Sequence, residues 1–140
     1  MPGNPAIFWP MILQAFLTLA VYAVLFVRRR GAARAGGDFE VMANGGAEPA
    51  GCRLASRNLA NQYELPVLFY AACLALHATN GASWLAVALA WVFALTRLVH
   101  AAIHLTVNHV PARGAAFIVG YVCVGLLWCL LALHLLAPAA

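Results

Sequence analysis

The sequence predicts an all-α membrane protein, a single four-transmembrane-helix bundle with its N- and C-termini outside. Three observations carry that reading. Hydrophobic residues make up 65% of the 140-residue chain and charged residues 9%, against roughly 25% charged in an ordinary soluble domain. Four long apolar runs divide the chain, each able to cross a hydrocarbon core of about 30 Å at a rise of about 1.5 Å per residue. All eight basic residues are arginines, and their clustering between runs marks topology rather than a nucleic-acid patch.

The first run, Pro5 to Val27, has 23 residues and no charge. No basic residue precedes it and Arg28, Arg29 and Arg30 follow, which predicts an uncleaved anchor entering from outside. Residues 28–54 are rich in Gly and Ala and lack a periodic apolar pattern, so they read as a flexible or weakly structured cytoplasmic loop. The second span covers about 55–79 and ends at the uncharged turn "TNGAS". The third runs over about 84–107, and the fourth over about 114–137. Both arginine-bearing loops then fall on one side, which the positive-inside rule makes cytoplasmic. The chain is expected to be a multi-pass protein of a bacterial inner membrane, in contact with membrane lipid and facing the cytoplasm with its polar groups.

Spans one and four read as clean, whereas spans two and three carry polar groups. On a helical wheel Arg53, Arg57, Asn61 and Glu64 fall within about 80° of one another. Arg97, His100, His104 and Asn108 share a face of span three. A charge deep in a bilayer costs about 2.5–3.5 kcal/mol even on a lenient scale, so partners or a watery cavity are needed. Two readings stand: helix glue with snorkelling arginines, or a polar pocket open to the cytoplasm. Convergence of the whole set at one depth favours the pocket, with Glu64 and Arg97 in one hydrogen-bonded network and the arginine excess suited to an anion.

Other chemistry is weakly signalled. Cys52, Cys73, Cys123 and Cys129 lack metal-type spacing and read as buried or idle thiols. His77 and His134 read as interfacial histidines rather than haem ligands. No carboxylate or cysteine stands at a spacing that would complete a metal site with His100 and His104.

The motif "RNLANQYELP", with Arg57, Asn61, Glu64 and Pro66, followed by "RLVHAAIHL" and "PARGAAFIVGY", resembles the family of membrane-associated proteins in eicosanoid and glutathione metabolism (MAPEG), over about Arg53 to Leu135. The resemblance implies a homotrimer that binds glutathione as co-substrate between neighbouring subunits. It implies a grip on the tripeptide by Arg57, Asn61 and Glu64, with Arg30 a candidate from the end of span one; Arg97 and His100, from the polar face of span three, join them as expected substrate-binding residues. It also implies that Arg113 stabilises the thiolate. The sequence departs from the family at His104, where better-studied members carry tyrosine, and at Val99 and Leu65, which replace other tyrosines.

Thiolate is the nucleophilic form of a thiol, and a guanidinium at the N-terminal end of a helix favours it. The expected activity is therefore a membrane-bound glutathione transferase, with possible peroxidase chemistry, in which Arg113 and His104 serve a thiolate that attacks a lipophilic small molecule. The alternative is a non-catalytic relative that binds glutathione or another small anion.

Overall fold

The structure, a computed structural model, describes residues 3–36, 44 and 48–136. A 3-10 turn, Pro5–Ile7, leads into α1 (Phe8–Arg34), followed by α2 (Ala50–Asn61), α3 (Leu65–Ala78), α4 (Trp84–Leu105) and α5 (Val110–Leu136). No strand occurs among the described residues. The all-α class stands, and the stretch Pro5–Arg34, α4 and α5 are each long and apolar enough to cross a membrane.

The second span departs from expectation. It begins at Ala50 and is broken between Asn61 and Leu65 into two helices, each about 20 Å long at the usual rise and neither sufficient alone to cross a bilayer. Pro66 explains the break: it has no N–H to offer the carbonyl four residues back, and it disfavours helical geometry at the residue before it. The chain turns at Glu64, with φ −97° and ψ −99°, and Pro66 sits in the first turn of α3.

Other boundaries shift as well. Span one continues as helix through Arg34, because arginine is a good helix former. The expected loop is therefore shorter than 28–54, and its residues 37–43 and 45–47 lie outside the described residues. The third span stops at Leu105 and the fourth starts at Val110, with Pro111 in its first turn; position 137 lies outside the described residues.

The helices are pinned at both ends. At the arginine end, Arg28 donates to the Gly51 carbonyl at 2.8 Å and to the Leu105 carbonyl at 2.6 Å, joining α1 to the start of α2 and the end of α4. At the other end Ser83 caps α4 by accepting from the Ala86 amide. His134 pairs with the Thr79 carbonyl at 2.8 Å. There a Cβ on Gly81 would lie 2.6 Å from the His134 ring, so any larger residue would push that ring aside.

Between the ends, Phe69 of α3 stacks on Phe93 of α4 at 4.2 Å, amid Ile7, Leu76, Val124 and Leu127. Helices α4 and α5 make the most extensive contact. They approach closely at Gly120, where a Cβ would come 3.1 Å from Thr96 Oγ1. A buried amide ladder ties α1 to α2: Gln14 Nε2 donates to Gln62 Oε1 at 2.7 Å and Gln62 Nε2 to Asn58 Oδ1 at 3.0 Å. Asn58 Nδ2 in turn donates to the Ala101 carbonyl of α4 at 3.2 Å. Span one is therefore not clean, since Gln14 is fully buried within it.

The start of α2 is clasped by Glu48. Arg29 donates to Oε1 through Nε at 3.1 Å and through Nη2, while Ser56 donates to Oε2 at 3.0 Å. The Arg29 hydrogen bond is the largest influence holding this carboxyl below its ordinary pKa of 4.5.

Two outcomes are expected. Phe93→Ala leaves a cavity against Phe69 and destabilises the bundle by about 2 kcal/mol, less than in water because lipid also solvates a phenyl ring; calorimetry in detergent would reveal it. A depressed folded-state pKa stabilises the clasp above the ordinary carboxylate pKa and loses that contribution as pH falls through the folded value. Hydrogen exchange at Cys52 and Arg53, corrected for intrinsic rate, should rise as pH drops below 4.5, and Glu48→Gln should abolish that dependence.

Candidate functional site

The buried face of α4 changes character along its length. Ala86, Val87, Ala90, Phe93 and Ala94 give way to Arg97, His100 and His104, which are exposed by only 0%, 4% and 3%. At about 1.5 Å per residue, Arg97 lies about 12 Å along the helix from the Leu105 level that Arg28 marks.

Arg97 owes its place to the break in span two. In an unbroken helix the Asn61 carbonyl would accept from the amide of residue 65, but Leu65 belongs to the next helix. Arg97 Nη2 donates to that carbonyl at 3.0 Å. Its guanidinium carbon stands 5.7 Å from the Phe117 ring centroid, within cation–π range. Its Nε and Nη1 are buried without a protein partner.

His100 faces α5, with Nδ1 2.9 Å from the Arg113 carbonyl. A carbonyl only accepts, so Nδ1 carries a proton, and in the neutral ring Nε2 is then bare. That Nε2 is buried without a protein partner, as are both ring nitrogens of His104. The two imidazoles meet edge to face with centroids 5.7 Å apart. Arg113, Arg57 and Arg97 all act electrostatically on His104. The half-buried Arg113 head is held by Asn108, Nη1 to Oδ1, at 2.7 Å.

The expected residues are thus only partly gathered. Arg97, His100, His104 and Arg113 converge between α4, α5 and the end of α2. Arg57 and Glu64 are exposed on the surface of the bundle, and Asn61 is half-buried and contributes its main chain. The stripe on span two and the stripe on span three therefore do not face each other squarely. Glu64 influences Arg97 through space without forming the expected bond, because the break in span two leaves its side chain exposed while Arg97 is fully buried. Among the described residues the ion pair present is Arg29–Glu48.

Arg30 lies elsewhere, exposed at the rim of a groove of about 590 Å³ lined by Tyr22, Leu25, Phe26 and Leu59. Among the described residues no three His, Cys, Asp or Glu side chains converge as metal ligands would. The cluster's own donors, the guanidiniums of Arg97 and Arg113 beside two imidazoles, suit an anion rather than a cation.

This arrangement, a polar cluster inside an all-helical membrane bundle with a broken second span, accompanies a match to the profile of the MAPEG family over residues 7–133. The chain belongs to the MAPEG family. No individual curated protein and no solved structure matches it significantly. As a MAPEG protein it is an integral membrane protein whose kind of chemistry lies in eicosanoid or glutathione metabolism.

Sequence reasoning missed the Gln14–Gln62–Asn58 ladder, Phe117 beneath Arg97 and the Arg28 clamp. Gln14, a lone amide in an otherwise apolar run, was the available signal for the first. The other two depend on which faces meet, and periodicity along one helix does not supply that.

Arg97 offers a test of whether the cluster serves the fold or a ligand. Arg97→Met, similar in length and uncharged, removes the unpartnered buried nitrogens but also the donor to the Asn61 carbonyl, so a small fall in melting temperature in detergent is expected, about 1 kcal/mol for the lost bond. A fall of many degrees would make the guanidinium a structural support.

Proposed function

We propose that the protein is a membrane-bound glutathione transferase, able to act also as a peroxidase, that joins the glutathione thiolate to a lipophilic electrophile at a subunit interface. The observation that carries the proposal is the buried set of nitrogens without protein partners on Arg97, His100 and His104, beside Arg113. Buried polar groups are ordinarily satisfied, and leaving a charged one unpaired is costly. A ligand that is anionic and rich in hydrogen-bonding groups offsets that cost, and glutathione brings two carboxylates, two amides and a thiol.

The exposure of Arg57 and Glu64 supports assembly. Facing lipid, each would cost about 2.5–3.5 kcal/mol on the lenient scale. A neighbouring subunit removes that cost and lets these residues, with Asn61, hold the peptide from the other side. We propose a homotrimer in which Arg30 of one subunit reaches the site of the next. The positive-inside rule places the arginine end in the cytoplasm, where glutathione is supplied, while the electrophile arrives laterally from the bilayer.

Chemically, the thiol loses its proton to solvent and the sulfur becomes an anion beside Arg113. Arg113 lies in the first turn of α5, where the helix dipole adds to its field. His104 stands where it can donate to the sulfur and orient it. The thiolate then attacks the electrophilic carbon, forming a C–S bond and expelling the leaving group. Holding both reactants at one interface supplies the proximity.

Rapid-mixing ultraviolet absorbance of the purified protein with glutathione tests this. Wild type is expected to show a thiolate signal. Arg113→Ala should lose about tenfold or more of it, one pKa unit corresponding to 1.36 kcal/mol. Arg57→Ala and Glu64→Ala should weaken binding, and His104→Phe should lower turnover more than affinity. Binding without turnover of any tested electrophile or lipid hydroperoxide would make the protein a glutathione-binding relative. Absence of binding would end the glutathione reading.

A further inference from the structure

The turn between α4 and α5 holds a residue to which the reading above gives no role. Asn108 has a left-handed backbone, φ 49°, a conformation in which glycine is the ordinary occupant and asparagine or aspartate the usual substitute. Its amide closes α4 by donating to the Ile103 carbonyl at 2.7 Å. Glycine would serve that purpose as well. The side chain does something glycine would not: Oδ1 accepts from Arg113 Nη1 at 2.7 Å, the short end of the ordinary range. An arginine can only donate, so the carbonyl oxygen of the amide must be the atom facing it.

Arg113 is thereby gripped at two points. Its main-chain carbonyl accepts from His100 and its head is held by Asn108. A long, flexible side chain at a helix start would otherwise spread over many rotamers, and an electrostatic catalyst works through charge that is already in position. The identity of the holding group matters equally. Asn108 is a neutral acceptor, so it fixes the guanidinium without cancelling its charge. The groups that act on the neighbouring His104 are all cationic or neutral: Arg113, His100, Arg57 and Arg97.

We propose that Asn108 is a positioning residue for the thiolate-stabilising arginine, chosen over glycine to hold the head and over aspartate to spare its charge. This rests on the glutathione reading. Asn108 does not touch the sulfur; it acts through Arg113.

The test is a pH titration of the bound-glutathione thiolate absorbance in purified, full-length wild type, Asn108→Asp and Asn108→Gly, with affinity and melting temperature measured on the same samples. Aspartate tolerates the left-handed backbone and offers the same acceptor, so the turn and the melting temperature should hold. Its carboxylate pairs with the guanidinium, and the apparent pKa of the bound thiol should rise by about one unit, about tenfold less thiolate below it. Glycine keeps the backbone and frees the head, so the apparent pKa should rise by less, and kcat should fall while KM for glutathione changes little.

If Asn108 only closes the helix, both variants will titrate and turn over as wild type, and the proposal is overturned. If wild type itself neither binds nor ionises glutathione, the glutathione reading fails and the role of Asn108 falls with it. The wild-type trace alone tells these outcomes apart.

Discussion

The bond from Arg97 to the Asn61 carbonyl exists because span two cannot continue through Pro66, and the polar interior is arranged around it. A guanidinium with no exposed surface in a bundle this apolar needs acceptors, and side-chain acceptors are scarce: the chain contains four acidic residues in all. A broken helix supplies main-chain carbonyls instead, at the depth where they are needed. Irregular backbone within a membrane is tolerated where it lies against protein or lines a cavity. Here the break and the buried cation compensate each other, since each would be unfavourable alone.

That compensation is incomplete, and the incompleteness has a direction. Arg97 spends one nitrogen on Asn61 and lays its plane near Phe117, leaving Nε and Nη1 without protein partners beside the equally unpartnered ring nitrogens of His100 and His104. Elsewhere among the described residues the buried unpartnered atoms are single and scattered, Gln14 Oε1 and His77 Nδ1, while the amides of the ladder from Gln14 through Gln62 and Asn58 to Ala101 bond to one another and to the main chain. What sets the cluster apart is concentration: five unpartnered nitrogens lie together on Arg97, His100 and His104, against one such atom in the ladder.

Much of this was legible in the sequence. Hydropathy and arginine placement located the spans, and helical periodicity put Arg97, His100 and His104 on one face, which the structure keeps. The break was not anticipated because Asn61 and Glu64 read as one polar stripe on a helix continuous over about 55–79, and a reading by wheel and mean hydropathy does not register the N–H that Pro66 lacks. Outward exposure of Arg57 and Glu64 was also hidden. A wheel shows that residues share a face but not which neighbour the face meets, and once the helix breaks between Asn61 and Leu65 the angular register across it is no longer 100° per residue. The Glu64–Arg97 bond failed for that reason, even though both residues were correctly marked as unusual.

The amide ladder shows why the break does not loosen the site. A helix interrupted in mid-membrane would ordinarily be a hinge, since the residues at the gap lose the hydrogen bonds that stiffen their neighbours. Here Gln62, the first residue after α2, is buried and fixed by Gln14 on one side and Asn58 on the other, so the gap is braced against both α1 and its own preceding turn. Asn58 carries the brace on to the main chain of α4 at Ala101, midway between Arg97 and His104. The ladder therefore fixes α2 to α4 beside the cluster, and the Asn61 carbonyl is delivered to Arg97 by a rigid support. Neutral amides suit this task because they can donate and accept in one chain without adding a charge to a region already crowded with guanidiniums.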